Sequence, residues 1–141
     1  MRSLLPLNNI KNMYFKTIYV IADNPFGKLI AEWSANNGIE VISTKKDNHL
    51  DEKIDGVVHF HTDHDFVKED EEIREFLIKN HKLDHKVDLN GTKIATLSNF
   101  EIWVARNRPK NILFLGDKEL VKNERLFSFL EDIGFLEEVG K

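Results

Sequence analysis

The chain has 141 residues, a length that fits one domain around one core, and its 41% hydrophobic and 31% charged residues are ordinary for a globular protein. A formal net charge of −4 gives no electrostatic reason to bind nucleic acid or an anionic membrane, and no apolar stretch approaches a membrane span. The absence of cysteine excludes a disulfide framework, a thiolate zinc site and a cysteine nucleophile, and it fits a reducing compartment, so a cytoplasmic location is expected.

Met1-Arg2-Ser3-Leu4-Leu5-Pro6-Leu7 begins as a signal peptide does, but the apolar run breaks at Pro6 and Asn8 without a small-residue cleavage site. Residues 1–12 are therefore expected to be an extension, and 13–141 a single α/β domain. A short run rich in β-branched residues predicts the first strand over 17–22. In the helix that follows, Phe26, Leu29, Ile30 and Trp33 share one face; Asp23 or Asn24 is the cap, Pro25 suits the first turn and Gly38 suits a left-handed end. The second and third strands are predicted over 39–43 and 54–60. A helix over 66–80 then opens with Glu69, Asp70, Glu71 and Glu72 at its positive end, turns Ile73, Phe76 and Leu77 inward, and takes Asp63 or Asp65 as its cap.

Asn90-Gly91 between the apolar runs of 87–94 is a two-residue hairpin signal and predicts an extra antiparallel edge strand. The fourth strand is placed over 93–97, before a short helix that starts near Asn99 with Ser98-Asn99-Phe100-Glu101 as a capping box and stops before Pro109. Residues 111–115 give the fifth strand, and the last helix runs over 124–133, capped by Asn123, with Leu126, Phe127, Leu130 and Ile133 inward. Alternating strands and helices with short connections imply a three-layer flavodoxin-like or Rossmann-like α/β fold on a mainly parallel five-stranded sheet.

The densest chemistry lies in His59-Phe60-His61-Thr62-Asp63-His64-Asp65. Alternate residues of a strand share a face, so His59 and His61 could meet one ion with His64 just beyond. This His-x-His-x-Asp-His string resembles the metal-binding motif of the metallo-β-lactamase superfamily. The resemblance implies zinc on the histidines, a role for Asp63 at a second metal ion, and a metal-dependent hydrolase in which Asp63 orients or activates water. On the simpler reading, a strand ends there at a polar loop.

The loop from Asp23 to Lys28 opens a helix, whose N–H groups together with Lys28 could hold a phosphate, as in a nucleotide-binding protein. Of a Gly-x-Gly-x-x-Gly fingerprint only Gly27 is present. Ile18-Tyr19-Val20-Ile21-Ala22-Asp23-Asn24, an amphipathic helix and Gly38-Ile39-Glu40-Val41 resemble the opening of a response-regulator receiver domain. That resemblance implies Asp23 as half of a magnesium-binding pair and Ser98 at the hydroxyl position. Phe60 stands where the phosphoacceptor belongs, so phosphotransfer does not carry over. Arg106, Arg108, Lys110, Lys118, Lys122 and Arg125 could meet an acidic partner, but Glu119, Glu124, Glu131 and Asp132 among them make a solvated mixed-charge face the better reading.

The leading expectation is a non-catalytic binding or regulatory module without a resident cofactor. It would act through protein contacts or a small ligand at the carboxyl edge of the sheet, where Asp23, Asn24, Lys28, Ser98, Asp117 and Lys118 are the ligand-binding candidates and His61 and Asp63 are expected to line the same cleft. Carboxylates outweigh lysines there, which favours a divalent cation or a cationic partner. The alternatives are the hydrolase, with a divalent metal on His59, His61, Asp63 and His64, and the nucleotide-binding protein.

Overall fold

The computed structural model describes residues 16–45 and 52–139, with side chains as far as Ile133; the extension expected over 1–12 lies outside the described residues. The strands are β1 (Thr17–Ile21), β2 (Glu40–Thr44), β3 (Gly56–His61), β4 (Leu83–Asp88) and β5 (Asn111–Leu115). They form one sheet in the order β2-β1-β5-β3-β4, with every pairing parallel. The helices are α1 (Pro25–Asn36), α2 (Lys68–Lys79), α3 (Lys93–Asn107) and α4 (Glu124–Val139), with a 3₁₀ turn over Lys118–Lys122.

The chain moves in opposite directions from β1 to β2 and from β3 to β4, so right-handed crossovers put α1 and α2 on opposite faces. The return from β4 to β5 brings α3 back to the face of α1. On that face Ile18, Val20, Phe60 and Phe114 pack against Phe26 and Ile30 of α1, Phe100 and Val104 of α3, and Leu126, Phe129 and Leu130 of α4. On the other, Tyr19, Ile21, Val57, Leu113 and Leu115 pack with Ile73 and Leu77 of α2. The result is the expected three-layer α/β architecture. Its strand order has β5 between β1 and β3, unlike the 2-1-3-4-5 order of flavodoxin-like sheets. No described helix is long and apolar enough to cross a membrane.

Two expectations are corrected. The run 93–97 is the start of α3 rather than a strand: the Thr92 hydroxyl accepts from the Ala95 N–H at 3.2 Å and caps a helix six residues earlier than the Asn99 start. The fourth strand is instead Leu83–Asp88, parallel to β3, so Asn90-Gly91 turns a strand into a helix and no antiparallel edge strand occurs among the described residues. Two aromatics expected inward also face solvent, Phe76 being 53% and Phe127 45% exposed.

Candidate functional site

The loops after β1 and β5 lead to elements on one face of the sheet, while the loop after β3 leads to α2 on the other. β5 and β3 are neighbours, so the chain parts between them at the carboxyl edge, the place where open parallel sheets hold ligands. A cleft of about 550 Å³ opens at this edge. Asp23, Asn24 and Pro25 line it from the loop after β1, Asp117 and Lys118 from the loop after β5, and Val67, Glu69 and Asp70 from the start of α2, with Ile21 beneath.

Local chemistry fixes the frame. The Asn24 side chain caps α1 by accepting from the Phe26 N–H at 2.8 Å, and its amide donates to the Gly116 carbonyl at 3.2 Å, tying the two loops together. Gly27 lies so close to β1 that a Cβ there would press on the Ile21 carbonyl, and a Cβ on Gly116 would come within 2.7 Å of the Phe26 ring. The first turn of α1 has few N–H groups to offer a phosphate. Pro25 has none, Phe26 donates to Asn24, and Lys28 donates to the Asn24 carbonyl at 3.0 Å.

Of the six ligand-binding candidates, Asp23, Asn24, Asp117 and Lys118 do come together in the cleft. Lys28 is exposed on α1 and does not line it. Ser98 is exposed in the interior of α3, because the segment 93–97, read as a strand with Ser98 in the loop after it, is helical, and His61 and Asp63 do not line the cleft either. Val67, Glu69 and Asp70 were not legible as site residues: an acidic first turn reads as compensation of the helix dipole, and only the placement of β3 beside β5 carries it to the cleft. Asp70 is buried, at 5% exposure.

The histidine string occupies the end of β3. His59 and His61 share the face covered by α2, as alternation requires, and both are buried. Phe66 lies over them, its centroid 4.6 Å from His59 and 4.7 Å from His61. The chain then turns through Asp63 and His64 in left-handed conformation, with φ of 51° and 66°, and the Asp65 N–H closes the turn on the Thr62 carbonyl at 2.9 Å. His61 Nδ1 accepts from the His64 N–H at 2.9 Å, and the two rings stack at 5.0 Å. Neither expected cap serves α2, whose capping residue is Val67 without a side-chain bond. Instead the Asp63 carboxylate accepts from the Asn90 amide at 2.7 Å. Among the described residues no group of three His, Asp or Glu side chains could hold a metal ion.

Burial, reinforced by the Arg74 guanidinium, lowers His59 to about 4, and burial also lowers His61. Asp88, at the end of β4, faces His61. Burial pulls its carboxyl upward, but hydrogen bonds from the Asn90 and Asp63 N–H groups outweigh that and hold it below the usual carboxylate range.

No family model matches the chain, and no curated protein matches it in sequence. Among solved structures, a protein of Syntrophus aciditrophicus SB named for a molybdenum-carrier role is similar, with a TM-score of 0.59 and 10% identity over 88% of this chain and 95% of that one. At such identity the likeness is one of fold, and it agrees with the parallel three-layer architecture.

Proposed function

We propose that the protein is a small binding module that holds the cationic group of a small ligand in the carboxyl-edge cleft. One observation carries this reading: at the switch point of the sheet, Asp23, Glu69, Asp70 and Asp117 line one cleft in which, among the described residues, Lys118 is the one lining cation. The Asn24 bond to Gly116 and the close fit of Gly27 and Gly116 set the walls in advance, so little order remains to be imposed on binding. The name of the Syntrophus protein assigns small inorganic cargo to a fold of this kind. Molybdate is an oxyanion, however, and the carboxylates here favour positive charge. The reading assigns no catalytic residue.

The test is a titration with 1,4-diaminobutane, a small organic dication, and, separately, molybdate, followed by amide NMR shifts. The diamine is expected to move resonances of Asp23, Glu69 and Asp117, and an Asp23→Asn, Asp117→Asn double variant to weaken binding at least about tenfold, the effect of losing roughly 1.4 kcal/mol of attraction. Shifts produced by molybdate alone, or confined to Arg106, Arg108, Lys110 and Lys122 away from the cleft, would refute the proposal.

A further inference from the structure

His59 is 1% exposed, and its Nδ1 has no hydrogen-bond partner among the described residues. The charged groups around it are unsuited to a second cation. From α2 come Arg74 and Glu71, with Asp70 buried on the same helix; from β4 comes Lys86; and along β3 lies His61. Beside it on β5 is Leu115, which carries no charge. Glu71 is engaged by Arg74 at 3.0 Å, and Arg74 is held also by Asp84 at 3.3 Å. His61 in turn faces Asp88 of β4 and Asp63 and His64 of the turn, as well as Lys86. Phe66 covers both imidazoles, with Arg74 at 5.7 Å and Lys86 at 5.5 Å from its centroid. The next residue, Val67, begins α2 without a side-chain cap, and the first turn it begins is one wall of the cleft.

We propose that His59 and His61, packed beneath Phe66, form a proton-operated latch on the first turn of α2, so that acidification opens the cleft wall that this turn supplies. A proton on His59 creates a buried cation between Arg74 and Lys86, with no acceptor at Nδ1, and the group can reach water only if Phe66 moves off it. Phe66 is joined directly to Val67, so its departure loosens the uncapped turn that carries Glu69 and Asp70. The low folded value of His59 has the same origin, since burial and the neighbouring guanidinium oppose its charge. A functional consequence, release of ligand in acid, rests on the reading of the cleft as a binding site; the latch itself does not.

The deciding measurement is amide hydrogen exchange on the ligand-free protein between about pH 7 and about pH 3, corrected for intrinsic exchange, with imidazole resonances recorded in parallel. Amides of 67–71 are expected to lose about tenfold in protection as His59 protonates, while those of β1 and β5 keep theirs. In His59→Leu the acid loss at 67–71 should disappear. Unchanged exchange at 67–71, loss at the same pH throughout the sheet, or an opening midpoint that does not coincide with His59 protonation would each overturn the latch. The imidazole readout decides the matter on the wild-type chain even if His59→Leu does not fold. An acid-opened turn in a protein that does not bind the diamine would uphold the latch and remove the binding reading.

Discussion

At Gly27 a single hydrogen in place of a side chain lets α1 approach the end of β1, and the consequence is measurable. A Cβ there would collide with the Ile21 carbonyl, which belongs to backbone and cannot swing aside, whereas a Cβ on Gly91 would meet the Thr96 hydroxyl at 3.2 Å and the Asp88 carbonyl at an ordinary 3.4 Å. Gly27→Ala is therefore expected to cost about 3 kcal/mol or more in urea unfolding, and Gly91→Ala less than about 1 kcal/mol. The buried histidines set a pH dependence at the same scale. His59 has a folded value of about 4 against 6.5 for the free group, so between these limits the unfolded chain binds more protons. Stability is then complete above pH 6.5 and falls as the pH drops toward 4, by roughly 3 kcal/mol from this residue. The lowered values of His61 and His85 act in the same direction. Chemical denaturation across this range checks the slope, which should flatten in His59→Leu; stability that rose on acidification would contradict the assignment.

Among the elements, those that bury a continuous apolar run or carry explicit punctuation are the ones the sequence reveals. β1, β3 and β5 are short, mainly apolar and almost wholly buried, β2 at the sheet edge shows through its β-branched residues although it is half exposed, and α1 has both its Asn24 cap and a terminal Gly38 at φ 72°. β4 is harder to see. As an edge strand, it sets Leu83, His85 and Val87 on the face of α3, where His85 stacks on Trp103, and sends Asp84, Lys86 and Asp88 the other way. That alternation is a genuine strand signal, but Asn90-Gly91 and the apolar run after it point more loudly to a hairpin. The run itself is ambiguous because a few apolar residues fit either period; the Thr92 cap settles it as helix. In α4, Phe127 and Phe129 compete for one inward position, and a small rotation about the helix axis decides between them. The stripe Leu126, Phe129, Leu130 and Ile133 is buried. Phe60, ringed by Phe26, Phe114 and Phe129 at centroid distances of 5.3 to 5.6 Å, should cost about 3–5 kcal/mol when truncated to Ala, and Phe127 below about 1 kcal/mol. Equal losses in the two variants would show that the face of α4 is misassigned.

For the molecule as a whole, half of the cleft is local information and half is not. Asp23, Asn24, Asp117 and Lys118 follow strands that the sequence announces, and parallel strands deliver such loops to a common edge. Glu69 and Asp70 reach the same place only because β3 lies against β5, a pairing across more than fifty residues that no local pattern encodes. Ser98 fails as a site residue for the converse reason, since its placement depends on a strand that is a helix. The central position of β5 also bears on how the chain acquires its shape. β1 with β2, and β3 with β4, each pair without it, but nothing joins these two halves of the sheet until Asn111–Leu115 enters between them. The joining contacts are distant in sequence, so their closure entropy falls due before they contribute, and the assembly step is expected to be slow compared with formation of either half. During synthesis from the N-terminus, the two half-sheets must wait with their inner edges unpaired until residue 111 has emerged. The same strand that brings Asp117 to the cleft is thus the keystone of the sheet, and the protein cannot acquire its candidate site before the whole sheet is closed.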